Sequence, residues 1–509
     1  METEALAAAQ ASGPGPVTRR AARNAAAVGA AQLAGKVASL AYTIAAVRVL
    51  GERQFGTFAY AMSLCLLLGT LPEWGFDPLL LQRGSREPRS LSRFLSETLV
   101  WRTAIAVPVF GAAAIAALVT RHDATSATVF LLILLATAFD TYTDAGLAAA
   151  AALQKQVWSN ISLTIERFVM AGLAIAALAL GFGLVGLAIS YLVGSVVGGL
   201  GVLVSVRRLG VSLDFRSVNR KGLGATARMS FAIGLDTVVS LALFRIDQVI
   251  LGALKGDAAV GIYAAAYRLL ETVLFVSWAV AKAVFPVMSA STSTETWRVR
   301  RGVEQGLAAV GLLYIPFGVG LLVEAGPVLR LLYGNAFAVQ GAGAARWLAP
   351  APLLFAAAYL GSYALLARER RWQVVATSLL ALVVNVAANL LLIPAFSSSG
   401  AAAATTISYL VQTIVVLAVV APDVGMPRLG RGLAAPAVAA GAMAAVLVVL
   451  RAGPAVEIPL GVAVYFAAWY PLARWWSPEH LAVVASFLPA RSRRTRTPEP
   501  TPGSGSAPS

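Results

Sequence analysis

Fourteen predominantly apolar runs recur between residues 24 and 474, and they decide what this chain can fold into. A helix needs about 20 such residues to cross the ~30 Å hydrocarbon core of a bilayer. In lipid every backbone donor and acceptor must be satisfied internally, so only helices and closed barrels span it. The apolar/polar alternation of barrel strands is absent here. The runs are therefore read as helices at 24–50, 57–81, 95–119, 126–150, 158–180, 184–206, 229–254, 261–288, 303–326, 343–367, 372–394, 401–421, 432–450 and 457–474. The segment 327–342 is read as a loop or short surface helix. Only 13% of residues are charged, against about 25% in soluble domains.

Basic residues fix the orientation. With the N-terminus in the cytoplasm, the inner loops hold 19 Lys and Arg and the outer loops hold 5. Lys and Arg concentrate in cytoplasmic loops, so both termini are expected in the cytoplasm of a cell-membrane protein. The same distribution accounts for the net charge of +16, because the cations are scattered among short loops. Nucleic acid is not an expected partner. The tail from 475 to 509 turns basic and then Pro/Ser-rich, the composition of a disordered segment that can touch anionic headgroups.

Part of the chain repeats. Residues 51–66 (GERQFGTFAYAMSLCL) echo 256–271 (GDAAVGIYAAAYRLLE), aligning Gly51 with Gly256 and Gly56 with Gly261. Residues 186–193 (GLAISYLV) echo 404–411 (ATTISYLV), and Trp158 and Trp372 open the preceding spans. A repeat of six spans gives two halves of the same orientation, related by an axis along the membrane normal. The expected fold is an all-α polytopic membrane protein with about 14 transmembrane helices. Two six-helix lobes surround a central cavity, and two extra C-terminal helices follow. The expected divisions are a cytoplasmic segment 1–23, an N-lobe 24–206, a basic linker 207–228, a C-lobe 229–421, helices 13–14 within 429–474 and the tail 475–509.

Catalytic and metal chemistry find little support. Cys65 is the single cysteine and lies in an apolar run, where a buried small side chain is expected. His122 and His480 lie far apart and outside the runs. No GxxxxGK[ST] phosphate loop is present. No catalytic residue, metal site or cofactor is expected.

Ionisable residues within spans cost about 2.5–3.5 kcal/mol on insertion scales and mark cavities or ion pairs. Span one places Gln32, Lys36, Ser39 and Thr43 on one helical face. Lys36 is read either as a cavity cation or as the partner of a carboxylate. Arg48 either joins it or snorkels at the outer end. Span two breaks at Pro72–Pro78, where Glu73 and Asp77 could bind a coupling ion or form a kink with an ion pair. In span four, Asp140 and Asp144 lie one turn apart. Asp140 carries a proton or sodium role, or pairs with Arg102 or Arg167. Span seven offers Asp236, Asp247 and Arg245, and span eight Arg268, Glu271 and Lys282. The candidate cavity cations are thus Lys36, Arg48, Arg102, Arg245, Arg268 and Lys282. The ion-coupling candidates are Glu73, Asp77, Asp140, Asp236 and Asp247.

Three stretches carry a family resemblance: VRVLGERQFGTFAYAMSL (47–64) with EWGFDPLLLQRGSR (73–86), FRIDQVILGALKGDAAVGIYAAAYRLLE (244–271) with VFPVMS (284–289), and LLYGNAF (331–337). Across 24–421 the chain resembles the polysaccharide-biosynthesis branch of the multidrug/oligosaccharidyl-lipid/polysaccharide exporter superfamily, which includes the O-antigen flippases. The resemblance implies a flippase that carries a polyprenyl-pyrophosphate-linked oligosaccharide to the outer leaflet. Its partners would be that lipid-linked sugar, membrane lipids, and glycosyltransferases or a polysaccharide polymerase. A peptidoglycan-precursor flippase and a cation-coupled multidrug exporter remain alternatives.

Overall fold

The computed structural model describes residues 16–476 other than 121, 122, 293 and 451. Most of the expected segment 1–23, nearly all of the tail 475–509, and both histidines lie outside the described residues. Apolar runs of this length form helices because each peptide group is satisfied one turn away, and among the described residues every regular element is helical. The first half holds α1 (Pro16–Glu73), α2 (Phe76–Arg86), α3 (Leu91–Thr120), α4 (Ala124–Ala152), α5 (Val157–Ala179) and α6 (Gly183–Arg208). The second holds α7 (Arg220–Lys255), α8 (Asp257–Ser289), α9 (Thr296–Tyr333), α10 (Asn335–Leu348), α11 (Ala351–Ala367) and α12 (Arg371–Val424). Then come α13 (Leu429–Leu450) and α14 (Pro454–Trp476).

Twelve helical stretches among these residues are long and apolar enough to cross a membrane. Helix α9 is kinked at Glu324 (φ −104°, ψ 17°), and two helices break at positive φ, α1 at Gly51 and α12 at Ser397. The breaks fall where 24–50 meets 57–81 and where 372–394 meets 401–421, an arrangement compatible with fourteen crossings. The segment 327–342, read as a loop or short surface helix, is helical on both sides of Gly334 and packs into the interior. It forms the end of α9 and the start of α10, and its Phe337, Ala338 and Ala342 are buried. Small residues there let α10 sit tightly among α8, α9 and α12.

Helices α1 and α4–α6 pack on one another, as do α7–α12. The two groups meet where α1 lies along α7 and α8. One apolar core runs through both groups, from Tyr42 and Phe58 to Tyr267 and Tyr409. Helices α13 and α14 pack against α9 and form a core of their own with it.

The sequence echo has a geometric counterpart. Gly51 (φ 70°, ψ −177°) and Gly256 (φ 79°, ψ 179°) share one backbone conformation, which L-residues with a Cβ rarely adopt. One turn later the two segments touch reciprocally. A Cβ on Gly56 would fall 1.7 Å from the Asp257 carbonyl oxygen, and one on Gly261 would fall 2.0 Å from the Glu52 carbonyl oxygen. Thr57 Oγ1 donates to Asp257 Oδ2 at 2.6 Å across the same contact.

A second device ties α7, α8 and α12 together. Asp247 is fully buried. Its carboxylate accepts from the Tyr263 hydroxyl, from Thr405 Oγ1 at 3.1 Å and from the Gln248 amide at 2.7 Å. A buried carboxylate is tolerable when donors surround it in this way.

Two outcomes are expected. Gly56→Ala should lower the thermal midpoint of the detergent-solubilised chain, costing about 1–3 kcal/mol as backbone presses on backbone. Gly172→Ala, which meets nothing within 4 Å, should not lower it. An unchanged midpoint for Gly56→Ala would show that the two segments separate freely. Asp247→Ala should cost about 1–3 kcal/mol by stranding two interior hydroxyls, read in the same melting experiment, and Tyr263→Phe should cost less.

Candidate functional site

Between the two groups of helices lies a cavity of about 720 Å³. Its walls come from α1, α5, α6, α7, α8 and α11, so neither half builds it alone. Within α1 the polar face expected of span one contributes Ser39, and the segment before the break contributes Thr70 and Glu73. Helix α5 adds Glu166 and Arg167, α7 adds Asp236 and Arg245, and α8 adds Arg268 and Glu271. Phe244, Trp278 and Tyr359 supply aromatic surface.

The charges are arranged rather than scattered. Glu271 accepts from Arg245 at 2.8 Å and from Arg268 at 3.0 Å. Arg268 Nη2 also donates to Ser39 Oγ, across from α8 to α1. One carboxylate thus bridges two guanidiniums, leaving a formal surplus of one positive charge. Arg167 has no ion pair within 4.0 Å among the described residues. It lies against Gly35, where a Cβ would meet its Cδ at 2.9 Å. Opposite these cations stand Glu73, Glu166 and Asp236. Asp236 Oδ1 is buried with no hydrogen-bond partner among the described residues. The wall therefore mixes both signs, with the cations Arg245 and Arg268 and the carboxylates Glu73 and Asp236 among the expected candidates. The reason is electrostatic: a guanidinium away from water needs an opposing charge nearby.

The candidate residues distribute as follows. Arg245, Arg268, Glu73 and Asp236 line the cavity. The Lys36 side chain lies outside the described residues. Arg48 is directed elsewhere. Its guanidinium donates to the carbonyls of Leu331 and Leu332 (Nε to Leu332 O, 2.8 Å), the last turn of α9. A helix C-terminus carries partial negative charge and unpaired carbonyls, so it attracts a cation. Arg102 is fully buried and paired with Asp77 inside the first half, again away from the cavity. Packing of α2 beside α3 brings those two together. Lys282 is exposed and outside the lining. Asp140 accepts from Tyr191 at 3.1 Å, placing it one residue behind the wall. Asp247 belongs to the buried network described above. Glu166 and Arg167 were missed as site residues, although ionisable groups in the middle of span five are the signal that finds such sites.

The two halves also touch beyond each end of the cavity lining. Along α7 the lining runs from Asp236 to Arg245. Beyond its far end is the Gly56–Gly261 contact, reinforced by Arg48 and by Gln340 Nε2 donating to Glu52 at 3.2 Å. At the near end, Gly75 (φ 68°) lies against Gly234, and a Cβ on either would fall 2.5–2.6 Å from the other segment's backbone. Arg83 donates to Thr226 Oγ1 at 2.7 Å, which donates to Glu97 at 2.8 Å, and Trp101 Nε1 donates to the Leu223 carbonyl at 3.1 Å. Helix α7 is thereby held to α1, α2 and α3 beneath the cavity.

Comparison with known proteins gives relatives for this arrangement. The chain is 28% identical over 237 residues to "Probable flippase AglR" of Haloferax volcanii, covering 46% of this chain and 50% of that protein. It is 27% identical over 169 residues to "Probable low-salt glycan biosynthesis flippase Agl15" of the same organism, covering 33% and 36%. The chain thus spans half or less of the length of these curated relatives. Among solved structures it superposes on "Lipid II flippase MurJ, inward closed conformation" with a TM-score of 0.74. That match has 14% sequence identity and covers 88% of this chain and 98% of the other, a likeness of fold. Residues 21–292 match the family described as "Polysaccharide biosynthesis protein". That span is more than half of the sequence, and the chain belongs to this family.

Proposed function

We propose that this chain is a flippase that moves a polyprenyl-pyrophosphate-linked oligosaccharide from the cytoplasmic to the outer leaflet by alternating access. The observation that carries the reading is the Arg245–Glu271–Arg268 triad, facing a cavity that both halves enclose. A pyrophosphate loses its hydration on leaving water. Guanidinium forks restore it through paired, charge-assisted hydrogen bonds. Two forks sharing one carboxylate can turn to an incoming phosphate without leaving a bare acid behind. Arg167 adds a third fork from the other half. Ser39, Thr70, Thr237 and Ser240 offer hydroxyls to sugars, and Trp278 and Tyr359 offer faces for their apolar sides. The lipid would stay in the bilayer while the head crosses.

In this reading 24–206 and 229–421 are the two moving lobes, joined by 207–228, with 429–474 as an accessory pair. Both termini face the cytoplasm. The Gly75–Gly234 contact is then the inner gate and the Gly56–Gly261 contact the outer one. Movement of the head requires no bond to form or break, so the chain acts as a transporter and not as an enzyme. Glu73, Glu166 and Asp236 are the candidates for a coupling cation, for which each charge moved inward yields about 2.3 kcal/mol per 100 mV. The relatives' names as probable flippases support the reading, and glycosyltransferases or a polymerase would work beside it. A cation-coupled drug exporter is the second reading. It is favoured by one observation, the three carboxylates and aromatic faces on the same wall.

In proteoliposomes bearing a fluorescent polyprenyl-pyrophosphate sugar, Arg268→Gln should slow flipping by roughly tenfold or more, the worth of one charged hydrogen bond. Arg268→Lys should recover only part of the rate. A full rate in Arg268→Gln would refute the anion-binding role. Under the exporter reading, Glu73→Gln with Asp236→Asn would instead abolish uptake of a lipophilic cation, and the labelled sugar lipid would not move at all in the wild type.

A further inference from the structure

Helices α13 and α14 do more than cover α9. Between α9 and α14 runs a cleft of about 420 Å³ whose wall is almost wholly apolar, with Leu312, Phe317, Leu321, Val462 and Phe466 among its residues. Two residues break that character, Glu324 and Glu457, which are 8% and 4% exposed. Both line the same cleft and the opening next to it. Glu457 Oε1 accepts the Gly453 amide at 2.9 Å. Glu324 Oε2 is buried and accepts no hydrogen bond among the described residues. Two carboxylates side by side in an apolar wall call for a cation or a proton between them. Capping the start of α14 accounts for Glu457 Oε1 and leaves Glu324 Oε2 without a partner among the described residues.

The surroundings say which cation fits. A second opening of about 620 Å³ shares Glu324, Leu447 and Glu457 with the cleft and adds exposed Arg330. Glu457 lies one turn into α14, which starts at Pro454, so the acids stand at the level where headgroups meet hydrocarbon. From Glu457 the cleft follows Ile458, Gly461, Val462 and Phe466 down the helix, a run of about 14 Å at 1.5 Å per residue. That order is a cation site, an anion site beside it, and an apolar slot leading inward.

We infer that this cleft binds an aminophospholipid of the phosphatidylethanolamine class. The ammonium sits between Glu324 and Glu457, the phosphate meets Arg330, and one acyl chain lies along α14. An ammonium brings three N–H donors to the pair. A choline headgroup has none, a glycerol headgroup brings no cation, and a polyprenyl chain offers the acids nothing. The site is separate from the central cavity and does not depend on the identity of the cargo.

Native mass spectrometry of the full chain, titrated with ethanolamine, choline and glycerol phospholipids of identical acyl chains, tests this. The first ethanolamine lipid should bind roughly tenfold more tightly than either other class, the discrimination expected from charge-assisted hydrogen bonds. Glu324→Gln with Glu457→Gln should erase the preference. Gly461→Leu, which fills the slot and keeps both acids, should weaken ethanolamine-lipid binding, and it carries the test alone if the double variant does not fold. Equal affinity for the three classes, or a preference that survives the double variant, would overturn the assignment. So would a polyprenyl phosphate that binds more tightly than the ethanolamine lipid, is blocked by Gly461→Leu and is indifferent to both Gln substitutions. That result would give the cleft to a substrate tail.

Discussion

A charge inside a membrane must find its opposite within the protein, and the interior of this chain is laid out by that requirement. Arg102 is sealed against Asp77, Arg245 and Arg268 divide Glu271 between them, and Asp247 is surrounded by donors from three helices. Each arrangement cancels the desolvation of its members to a different degree. Arg102 and Asp77 cancel one another and hold the first half together. The triad cancels incompletely, and the remainder points into the cavity. In the proposed reading, the difference between a structural pair and a binding group is one of stoichiometry.

The cavity depends equally on where the two halves touch. Glycines let backbones meet at both ends, Gly56 with Gly261 and Gly75 with Gly234. Contacts made by backbone atoms have no rotamers with which to adapt. They are either closed or open, which is the behaviour required of elements that switch between discrete states. Side-chain bonds such as Arg48 to α9 and Arg83 to Thr226 then add to one closed state without determining its geometry.

The spans were readable because their signal is length and apolarity, which the bilayer enforces one segment at a time. The two positive-φ breaks were readable, since Gly51 lay in the repeated motif and Ser397, at φ 49°, falls in the short gap between the expected spans 372–394 and 401–421. Segment 327–342 was placed at the surface, as a loop or short helix, whereas its small residues serve close helix packing in the interior. Among the site residues, Arg245 and Arg268 reach the cavity. Arg48, Arg102 and Lys282 do not, since helical spacing gives direction relative to neighbours on the same helix and not which helix stands opposite. Glu166 escaped notice and Arg167 was considered only as a partner of Asp140, although consecutive helical residues point about 100° apart and both line the cavity.

The reciprocal seat of Gly56 and Gly261 has a consequence for the history of the chain. Each glycine sits against the carbonyl of the other copy's acidic residue, Glu52 or Asp257. A mutation in either segment is felt by both, so the two could not diverge independently after duplication. Elsewhere each copy was free to drift toward its own duties. The oldest trace of the doubling should therefore persist where the copies face each other, and that is the stretch in which this chain still visibly rhymes with itself.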